Sequence, residues 1–347
     1  MAMLAIFGAG TIGCYLGGRL ALAGAEVGFV GRAATGEMLR RHGLTLTDYQ
    51  GREAQVAASR IVFDTDARAL AQADAVLVTV KCAATPAAAA ALEPVLRPGT
   101  VVISFQNGVR QADALRIALP GRTVLAGMVP FNVIARGDGV FHQGSAGALA
   151  VEASPRLAPV AAAFERAGLS LQAREDIVAV QWAKLLFNLN NAINALAAMP
   201  LREQLGTRDY RRCLALAQAE ALRVMRRAGI RPARLTPLPA SWLPSVLSLP
   251  DALFMRLAGA MLAIDPLARS SMADDVAAGR ATEVDWLNGE IVRLAAEFGL
   301  TAPINARLCE LVRLATRDHA RTRWRADVLL HTLRDSVHDL PVIADES

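Results

Sequence analysis

The chain has 347 residues, of which 53% are hydrophobic and 20% charged, and its formal net charge is +5. A chain of this length exceeds what one hydrophobic core usually holds, so it predicts two domains. The apolar content excludes wholesale disorder. Arginine-rich stretches at 223–234 and 313–325 carry no nucleic-acid-binding motif, so we interpret them as solvated helix faces and expect no nucleic-acid partner.

The cysteines and the uncharged start of the chain both predict a cytoplasmic protein. The four cysteines form no C-x-x-C pair and no Cys/His cluster, which argues against a disulfide framework and a structural metal site and suits a reducing compartment. They are Cys14, Cys82, Cys213 and Cys309. The first 18 residues carry no charge, but they lack a basic n-region and contain five glycines, so we expect neither a signal peptide nor a membrane helix.

Residues 4–32 form the strongest pattern in the chain. An apolar strand at 4–7 leads into a glycine-rich turn at G-x-G-x-x-G spacing, followed by an apolar helix and a second strand at 27–30. This order predicts a dinucleotide-binding βαβ unit whose helix N-terminus faces the phosphates. We therefore assign the whole turn to cofactor binding, namely Gly8, Ala9, Gly10, Thr11, Ile12 and Gly13. In this interpretation Gly8 permits the tight turn, Gly10 admits the pyrophosphate and Gly13 lets the helix pack against the strand.

The residue that follows the second strand indicates which cofactor binds. NAD enzymes usually place an acid here on the ribose 2′-hydroxyl, whereas this chain has Gly31-Arg32. An arginine suits a 2′-phosphate, so the sequence predicts NADP(H). The alternative is that Arg32 is only a solvated surface charge.

The rest of the first half alternates strands with helices. Nearly continuous apolar runs at 61–63, 75–80 and 101–105 are typical of strands buried on both faces of a parallel sheet. An alanine-rich helix is predicted at 85–96. After an apolar run at 123–128, the glycine-spaced stretch 137–147 predicts a hairpin that gives this sheet an antiparallel edge.

From residue 177 onward the apolar spacing is helical, and the proline-rich stretch 231–250 predicts a loop or a short broken helix. The helical segments are 177–199, 207–229, 251–278, 281–299 and 303–320. The predicted architecture is an α/β Rossmann-type nucleotide-binding domain at 1–173, followed by an all-α domain at 174–347. We expect the substrate site in the cleft between them.

Several polar residues fall where such a cleft would lie. Lys81 and Asn107 follow the strands at 75–80 and 101–105, at the carboxyl edge where open α/β sheets bind ligands. In the second half, Lys184 and Asn188 share one helix face. Because Lys184 lies among large apolar residues, it either extends its ammonium group to water or is held with a lowered pKa for proton transfer.

A second polar cluster spans residues 270–275 and 279–289, where hydroxyl and acidic side chains crowd adjoining helices. One interpretation is structural, with Thr282 capping the next helix and Asp285 in its first turn. The density of the cluster favours a functional interpretation.

Together these segments resemble the ketopantoate reductases, the NADPH-dependent 2-dehydropantoate 2-reductases of pantothenate biosynthesis. The resemblance covers nearly the whole chain, and six motifs follow in the same order with similar spacing. They are the 8–13 turn, Val80-Lys81, Gln106-Asn107-Gly108, Trp182-x-Lys184-Leu185-x-x-Asn188, Ser270-Ser271-Met272-x-x-Asp275 and Thr282-Glu283-Val284-Asp285-x-Leu287-Asn288-Gly289.

The resemblance implies a role for each of the matching residues. Lys184 matches the proton donor, and Glu283 would orient Lys184 or the distal hydroxyl of the substrate. Asn107 and Asn188 would hydrogen-bond the substrate or the lysine, while Ser271 would hold the substrate carboxylate. Arg32 and Lys81 match positions at the 2′-phosphate end of NADP(H). The predicted sites are therefore catalytic (Lys184, Glu283, Asn107), substrate-binding (Asn188, Ser271, Asn191) and cofactor-binding (residues 8–13, Arg32, Lys81, Asn107), with no metal.

The match departs from the family in one place. Many relatives have a second asparagine four residues after Asn188, whereas here Ala192 is flanked by Asn190, Asn191 and Asn194. Either the helix register shifts or the pocket differs, so the identity of the 2-keto acid stays open. The alternatives are a reductase of another 2-keto acid, a glycerol-3-phosphate or opine-type dehydrogenase, and a non-enzymatic NADP(H) sensor. A homodimer through the helical domain is also compatible with the sequence.

Overall fold

The computed structural model describes residues 3–257, 268–317 and 323–338. The chain divides into two compact units, Met1–Gln181 and Trp182–Ser347. The predicted domains at 1–173 and 174–347 remain a proposal about where the functional boundary lies. In the part of the chain that the structure describes, no helix is long and apolar enough to cross a membrane.

The first unit contains twelve strands and five α-helices among its described residues. The strands are β1 Met3–Phe7, β2 Glu26–Val30, β3 Leu44–Asp48, β4 Glu53–Val56, β5 Val62–Asp64, β6 Ala75–Val78, β7 Val101–Ser104, β8 Thr123–Met128, β9 Val133–Gly137, β10 Val140–Gln143, β11 Leu149–Glu152 and β12 Leu171–Arg174. The helices are α1 Thr11–Leu22, α2 Ala33–His42, α3 Thr85–Leu92, α4 Gln111–Ala118 and α5 Ala158–Arg166.

The main sheet has eight strands in the order β12-β11-β8-β7-β6-β1-β2-β5. The six strands from β8 to β5 in this order are parallel, and β1 lies between β2 and β6. The chain therefore reverses its direction of winding at β1, which is where open α/β sheets bind nucleotides. The predicted α/β fold is confirmed.

Two details of the predicted sheet are wrong. The hairpin near residues 137–147 exists as β9 and β10, but it belongs to a second, four-stranded sheet of order β4-β3-β10-β9 because β10 pairs with β3. The strands of the main sheet that run antiparallel to the other six are β11 and β12, since β11 pairs antiparallel with β8 and parallel with β12. The run at 61–63 is not buried on both faces, since β5 is an edge strand and Val62 is 64% exposed. An apolar run indicates a strand but does not indicate its partners.

The helix α6 Ile177–Asn188 crosses from the first unit into the second, whose other described helices follow. They are α7 Asn190–Ala197, α8 Leu201–Gly206, α9 Arg208–Arg227, α10 Leu243–Leu247, α11 Asp251–Leu257, α12 Ser271–Ala277, α13 Asn288–Glu297, α14 Pro303–Arg317 and α15 Ala326–His338. The predicted segments at 207–229 and 303–320 correspond to α9 and α14, with 318–320 outside the described residues. The predicted segment at 251–278 contains α11 and α12, and 258–267 lie outside the described residues.

The predicted helix at 177–199 is two helices, because the α-helix is interrupted at Leu189. The interruption follows a side-chain contact: the Gln218 amide donates a 3.0 Å hydrogen bond to the Leu186 carbonyl oxygen. A side chain that takes a helix carbonyl competes with the regular backbone bonds and breaks the helix locally. This contact depends on α9, so the local sequence carries no signal of it.

The proline-rich stretch contains a short 3₁₀ turn and α10, as its composition predicts. Arg211 of α9 hydrogen-bonds the C-terminal end of this proline-rich stretch. The guanidinium group is completely buried and donates to the carbonyl oxygens of Leu247 and Leu249 at 3.1 and 2.9 Å, and to the Asp251 carboxylate at 2.8 Å. It also stacks 4.1 Å from the Phe254 ring centroid. One buried arginine therefore satisfies backbone acceptors that a proline-rich segment cannot pair with itself.

Candidate active site

The glycine-rich turn joins β1 to α1. Gly8 has φ +104°, and a β-carbon there would lie 2.7 Å from the Val80 backbone nitrogen. A β-carbon on Gly13 would lie 2.6 Å from the Thr79 hydroxyl oxygen, so the helix packs on this edge only because residue 13 has no side chain. At Gly10 the nearest atom would be 3.9 Å away. Gly10 is thus the one of the three that leaves open space above the turn.

The start of α1 fits a dinucleotide pyrophosphate. Gly10 is the N-cap residue and is exposed, no side chain caps the helix, and its first turn carries no acid. The first amides of a helix have no partner within the helix and lie at the positive end of its dipole. An anion that approaches Gly10 therefore finds available donors and no competing carboxylate.

Arg32 lies directly beyond the carboxyl end of β2. It is exposed and is the N-cap residue of α2. No acid ends β2, and Asp64 at the end of neighbouring β5 folds its carboxylate onto the backbone amides of Thr65 and Asp66 at 2.6 and 2.9 Å. The position therefore offers a cation to a ligand at the strand edge.

Lys81 and Asn107 lie in the loops after β6 and β7, which a buried polar network joins. The Gln106 amide donates to the Val80 carbonyl oxygen at 3.2 Å and to the Thr85 hydroxyl at 2.8 Å, and it accepts a 2.9 Å bond from the Ser104 hydroxyl. Thr85 in turn donates to Gln111 at 2.8 Å. These contacts hold the loop of Lys81 against the loop of Asn107.

Sequence reasoning missed this network. The available signal was Ser104, a polar residue inside the apolar run 101–105. In the structure Ser104, Thr85 and Gln111 are all buried, and buried polar side chains need hydrogen-bond partners. Their partners lie up to 26 residues away, so only the folded chain shows the pairing.

Lys184 lies in α6 next to the buried residues Ala183 and Leu185. Its side chain is partly exposed, but desolvation by burial lowers the pKa of the ammonium group from 10.5 to about 8. This favours the second of the two interpretations of the lysine, because an ammonium group in water would keep its ordinary pKa. Asn188, one turn later, is buried.

The structure distinguishes the three asparagines around Ala192. Asn190 exchanges hydrogen bonds with Gln204 at 3.0 and 3.1 Å, and both side chains are buried. Asn194 is fully buried and bonds Met199 and Ser270. Asn191 is the one whose side chain is partly exposed. It is therefore the asparagine of this set that a ligand can reach.

The last predicted residues lie at the starts of short helical segments. Ser271 is the exposed first residue of α12, and Glu283 is half-buried just before a 3₁₀ turn at Val284–Trp286. Thr282 does not cap the next helix, since the N-cap position of α13 is Leu287. Asp285 lies in the first turn of the 3₁₀ segment, as expected, and also pairs with Arg313. The predicted cofactor residues, with Asn107, thus lie in the first unit, and the other predicted site residues lie in the second.

Family models match both parts of the chain. The ketopantoate reductase PanE/ApbA model matches residues 4–156, and the model of the C-terminal part of the same family matches residues 176–316. The chain belongs to the ketopantoate reductase family. Members of this family are NADP-dependent oxidoreductases, so the predicted enzyme class and cofactor are confirmed.

Two relatives of this ketopantoate reductase family member are named 2-dehydropantoate 2-reductases. The chain is 29% identical to a 2-dehydropantoate 2-reductase of Halobacterium salinarum, covering 90% of this chain and 98% of the relative. It is 30% identical to a 2-dehydropantoate 2-reductase of Archaeoglobus fulgidus, covering 89% and 96%. The family and the reductase activity predicted from the sequence are confirmed.

Solved structures show the same architecture. A PanE/ApbA family ketopantoate reductase from Ralstonia eutropha superposes with a TM-score of 0.78 at 31% identity, over 91% of this chain and 99% of the other. A D-mandelate dehydrogenase in complex with NADH and anilino(oxo)acetate superposes with a TM-score of 0.72 at 20% identity, over 91% and 99%. At that identity the second likeness concerns the fold alone.

Proposed function

We propose that this enzyme uses NADPH to reduce 2-dehydropantoate to pantoate, the reductive step of pantothenate biosynthesis. The observation that carries the proposal is Lys184, a desolvated lysine with a pKa lowered to about 8 in a chain of this family. Such a lysine is largely protonated at neutral pH and gives up its proton more readily than an exposed lysine.

In the proposed mechanism, NADPH supplies a hydride to the 2-keto carbon when bound. Lys184 donates the proton at Nζ to the developing alkoxide oxygen, and its charge stabilises that oxygen beforehand. Asn188 and Asn107 hydrogen-bond the reacting group or the lysine, and Ser271 with Asn191 holds the substrate carboxylate and its neighbouring atoms. Glu283 orients Lys184 or the distal hydroxyl of the substrate.

A second candidate is reduction of a different 2-keto acid. The observation that favours it is the environment of Asn190 and Asn194, whose side chains are buried in bonds to other protein groups. Where many relatives carry a second asparagine on this helix, the chain has Ala192. A change in the hydrogen-bond donors of a substrate pocket more readily changes which keto acid binds than which reaction is catalysed.

A steady-state panel tests both candidates. Ketopantoate, 2-ketoisovalerate, pyruvate and an aromatic 2-keto acid are each reduced with NADPH and with NADH, and glycerol 3-phosphate oxidation is the control for another dehydrogenase class. The proposal expects the highest kcat/KM for ketopantoate with NADPH. A more than tenfold preference for another keto acid supports the second candidate. NADPH binding without any turnover indicates a sensor.

The proposal extends to assembly and compartment. A ketopantoate reductase of Staphylococcus aureus with this fold is described as dimeric, and we propose a homodimer through the helical part of this chain, to be measured by sedimentation equilibrium. We also propose a cytoplasmic location, because the four cysteines are buried and form no disulfide, which suits a reducing compartment.

A further inference from the structure

We infer that Asn194 is a positioning residue that fixes Ser271 relative to Asn191, and with it the site for the substrate carboxylate. The inference rests on the proposed function, since Ser271 and Asn191 are the proposed substrate contacts. Asn194 itself is fully buried, so it acts through its neighbours.

The Asn194 side chain bridges two segments. Its amide nitrogen donates to the Met199 carbonyl oxygen at 3.0 Å, and its amide oxygen accepts from the Ser270 backbone nitrogen at 2.9 Å. The turn after α7 passes through Ala198, which has φ +50°, a left-handed conformation that costs free energy for a residue other than glycine. The bond to Met199 holds that turn in place.

Ser270 completes the connection from the other side. Its hydroxyl donates to the Asn191 carbonyl oxygen at 3.3 Å and accepts from the Ala273 backbone nitrogen at 3.1 Å. Ser270 is 4% exposed, whereas Ser271, the next residue, is exposed and Asn191 is partly exposed. Two buried polar side chains therefore join the two segments that carry the accessible ones. We name Asn194 and Ser270 the buried clasp.

The clasp predicts a particular kinetic effect. Removing it lets the start of α12 shift against α7, so the keto acid is held less well. Neither member of the clasp has a described hydrogen bond to Lys184. Both members belong to the second unit, whereas the nucleotide-binding turn belongs to the first. A substrate-positioning role therefore raises KM for the keto acid and leaves kcat and NADPH affinity nearly unchanged.

The chain offers a matched control for Asn194→Leu. Asn190→Leu removes a buried asparagine from the same helix, but the Asn190 side chain bonds Gln204 and not Ser270. Both variants leave buried partners unsatisfied and lose stability. Ser270→Ala is a second disruption of the clasp that leaves Asn194 in place, and Ser270→Thr keeps the hydroxyl.

The experiment measures KM, kcat and NADPH affinity for folded variants, together with hydrogen exchange at the Ser270 and Ala273 amides. We expect Asn194→Leu and Ser270→Ala to raise KM about tenfold or more, the equivalent of one hydrogen bond to a charged group. Asn190→Leu should leave KM unchanged, and Ser270→Thr should restore it. A wild-type KM in both clasp variants, or an equal rise in Asn190→Leu, overturns the inference.

Two outcomes separate the clasp from the proposed function. If the wild type reduces no keto acid, the proposed function fails. If the Ser270 and Ala273 amides exchange at the wild-type rate in folded Asn194→Leu protein, the clasp does not fix α12, whatever the substrate is.

Discussion

The Thr79 hydroxyl donates a 2.8 Å hydrogen bond to the Gly8 carbonyl oxygen, and the same hydroxyl lies 2.6 Å from where a β-carbon on Gly13 would stand. The residue after β6 thus secures the glycine-rich turn that leads from β1 into α1. Because the space around Thr79 is filled and the space above Gly10 is open, substitutions at the two glycines have different consequences.

Gly10 and Gly13 give the first prediction. Gly10→Ala meets no atom closer than 3.9 Å, so it should cost at most about 1 kcal/mol of stability, as a change at an N-cap does. It should nevertheless weaken NADPH binding, because the methyl group occupies the place of the pyrophosphate. Gly13→Ala forces the turn to shift and should lose about 1–3 kcal/mol of stability. Denaturant unfolding and cofactor titration measure both. Equal stability losses would contradict this account of the turn.

Gln106 gives the second prediction. Gln106→Leu leaves the Ser104 and Thr85 hydroxyls without their amide partner and should cost about 1–3 kcal/mol of unfolding free energy. Because the loops of Lys81 and Asn107 then separate, NADPH affinity should fall as well. Gln204→Leu is the control, since Gln204 is also buried but bonds Asn190 in the second unit. If both variants bind NADPH like the wild type, the network has no role in binding the cofactor.

Arg32 gives the third prediction, on cofactor choice. Arg32→Ala should weaken NADPH binding by about 1–3 kcal/mol, the range for a charge-assisted contact, and change NADH binding little. Arg40→Ala, at the other end of the same helix and also exposed, should change neither. Fluorescence titration with the two cofactors measures the difference. Equal losses for NADPH and NADH would place Arg32 outside the 2′-phosphate site.

Lys184 gives the fourth prediction. Lys184→Ala should slow single-turnover reduction of the keto acid by roughly 10²–10⁴-fold, the usual contribution of a positioned general acid, with NADPH affinity preserved. In the wild type the donor is the protonated form. Because burial places the pKa of Lys184 at about 8, the reduction rate should be constant near neutral pH and fall as the pH rises through about 8.

The pH profile of the variant is the control for that prediction. The residual rate of Lys184→Ala should lack the loss near pH 8 that the wild type shows. A decrease of less than about tenfold in the variant rate, or the same pH profile in both proteins, would remove Lys184 from proton transfer.

The sequence by itself determined the nucleotide-binding unit, because strand and helix periodicity and the spacing of glycines are local properties of the chain. Gly8 and Gly13 have the close approaches that their positions in the motif predict. The order of the polar motifs likewise indicated the family, since it is a property of the chain and not of its packing.

Only the tertiary structure decided which polar side chains support the fold and which remain accessible. The local sequence does not distinguish Asn190, Asn191 and Asn194. In the structure the Asn190 side chain bonds Gln204, and the Asn194 side chain bonds Met199 and Ser270. The second sheet likewise depends on the pairing of β10 with β3. The break at Leu189 depends on the hydrogen bond from Gln218 to the Leu186 carbonyl oxygen. These outcomes depend on hydrogen-bond partners distant along the chain, and a local pattern contains no information on which distant group will satisfy a buried donor or acceptor.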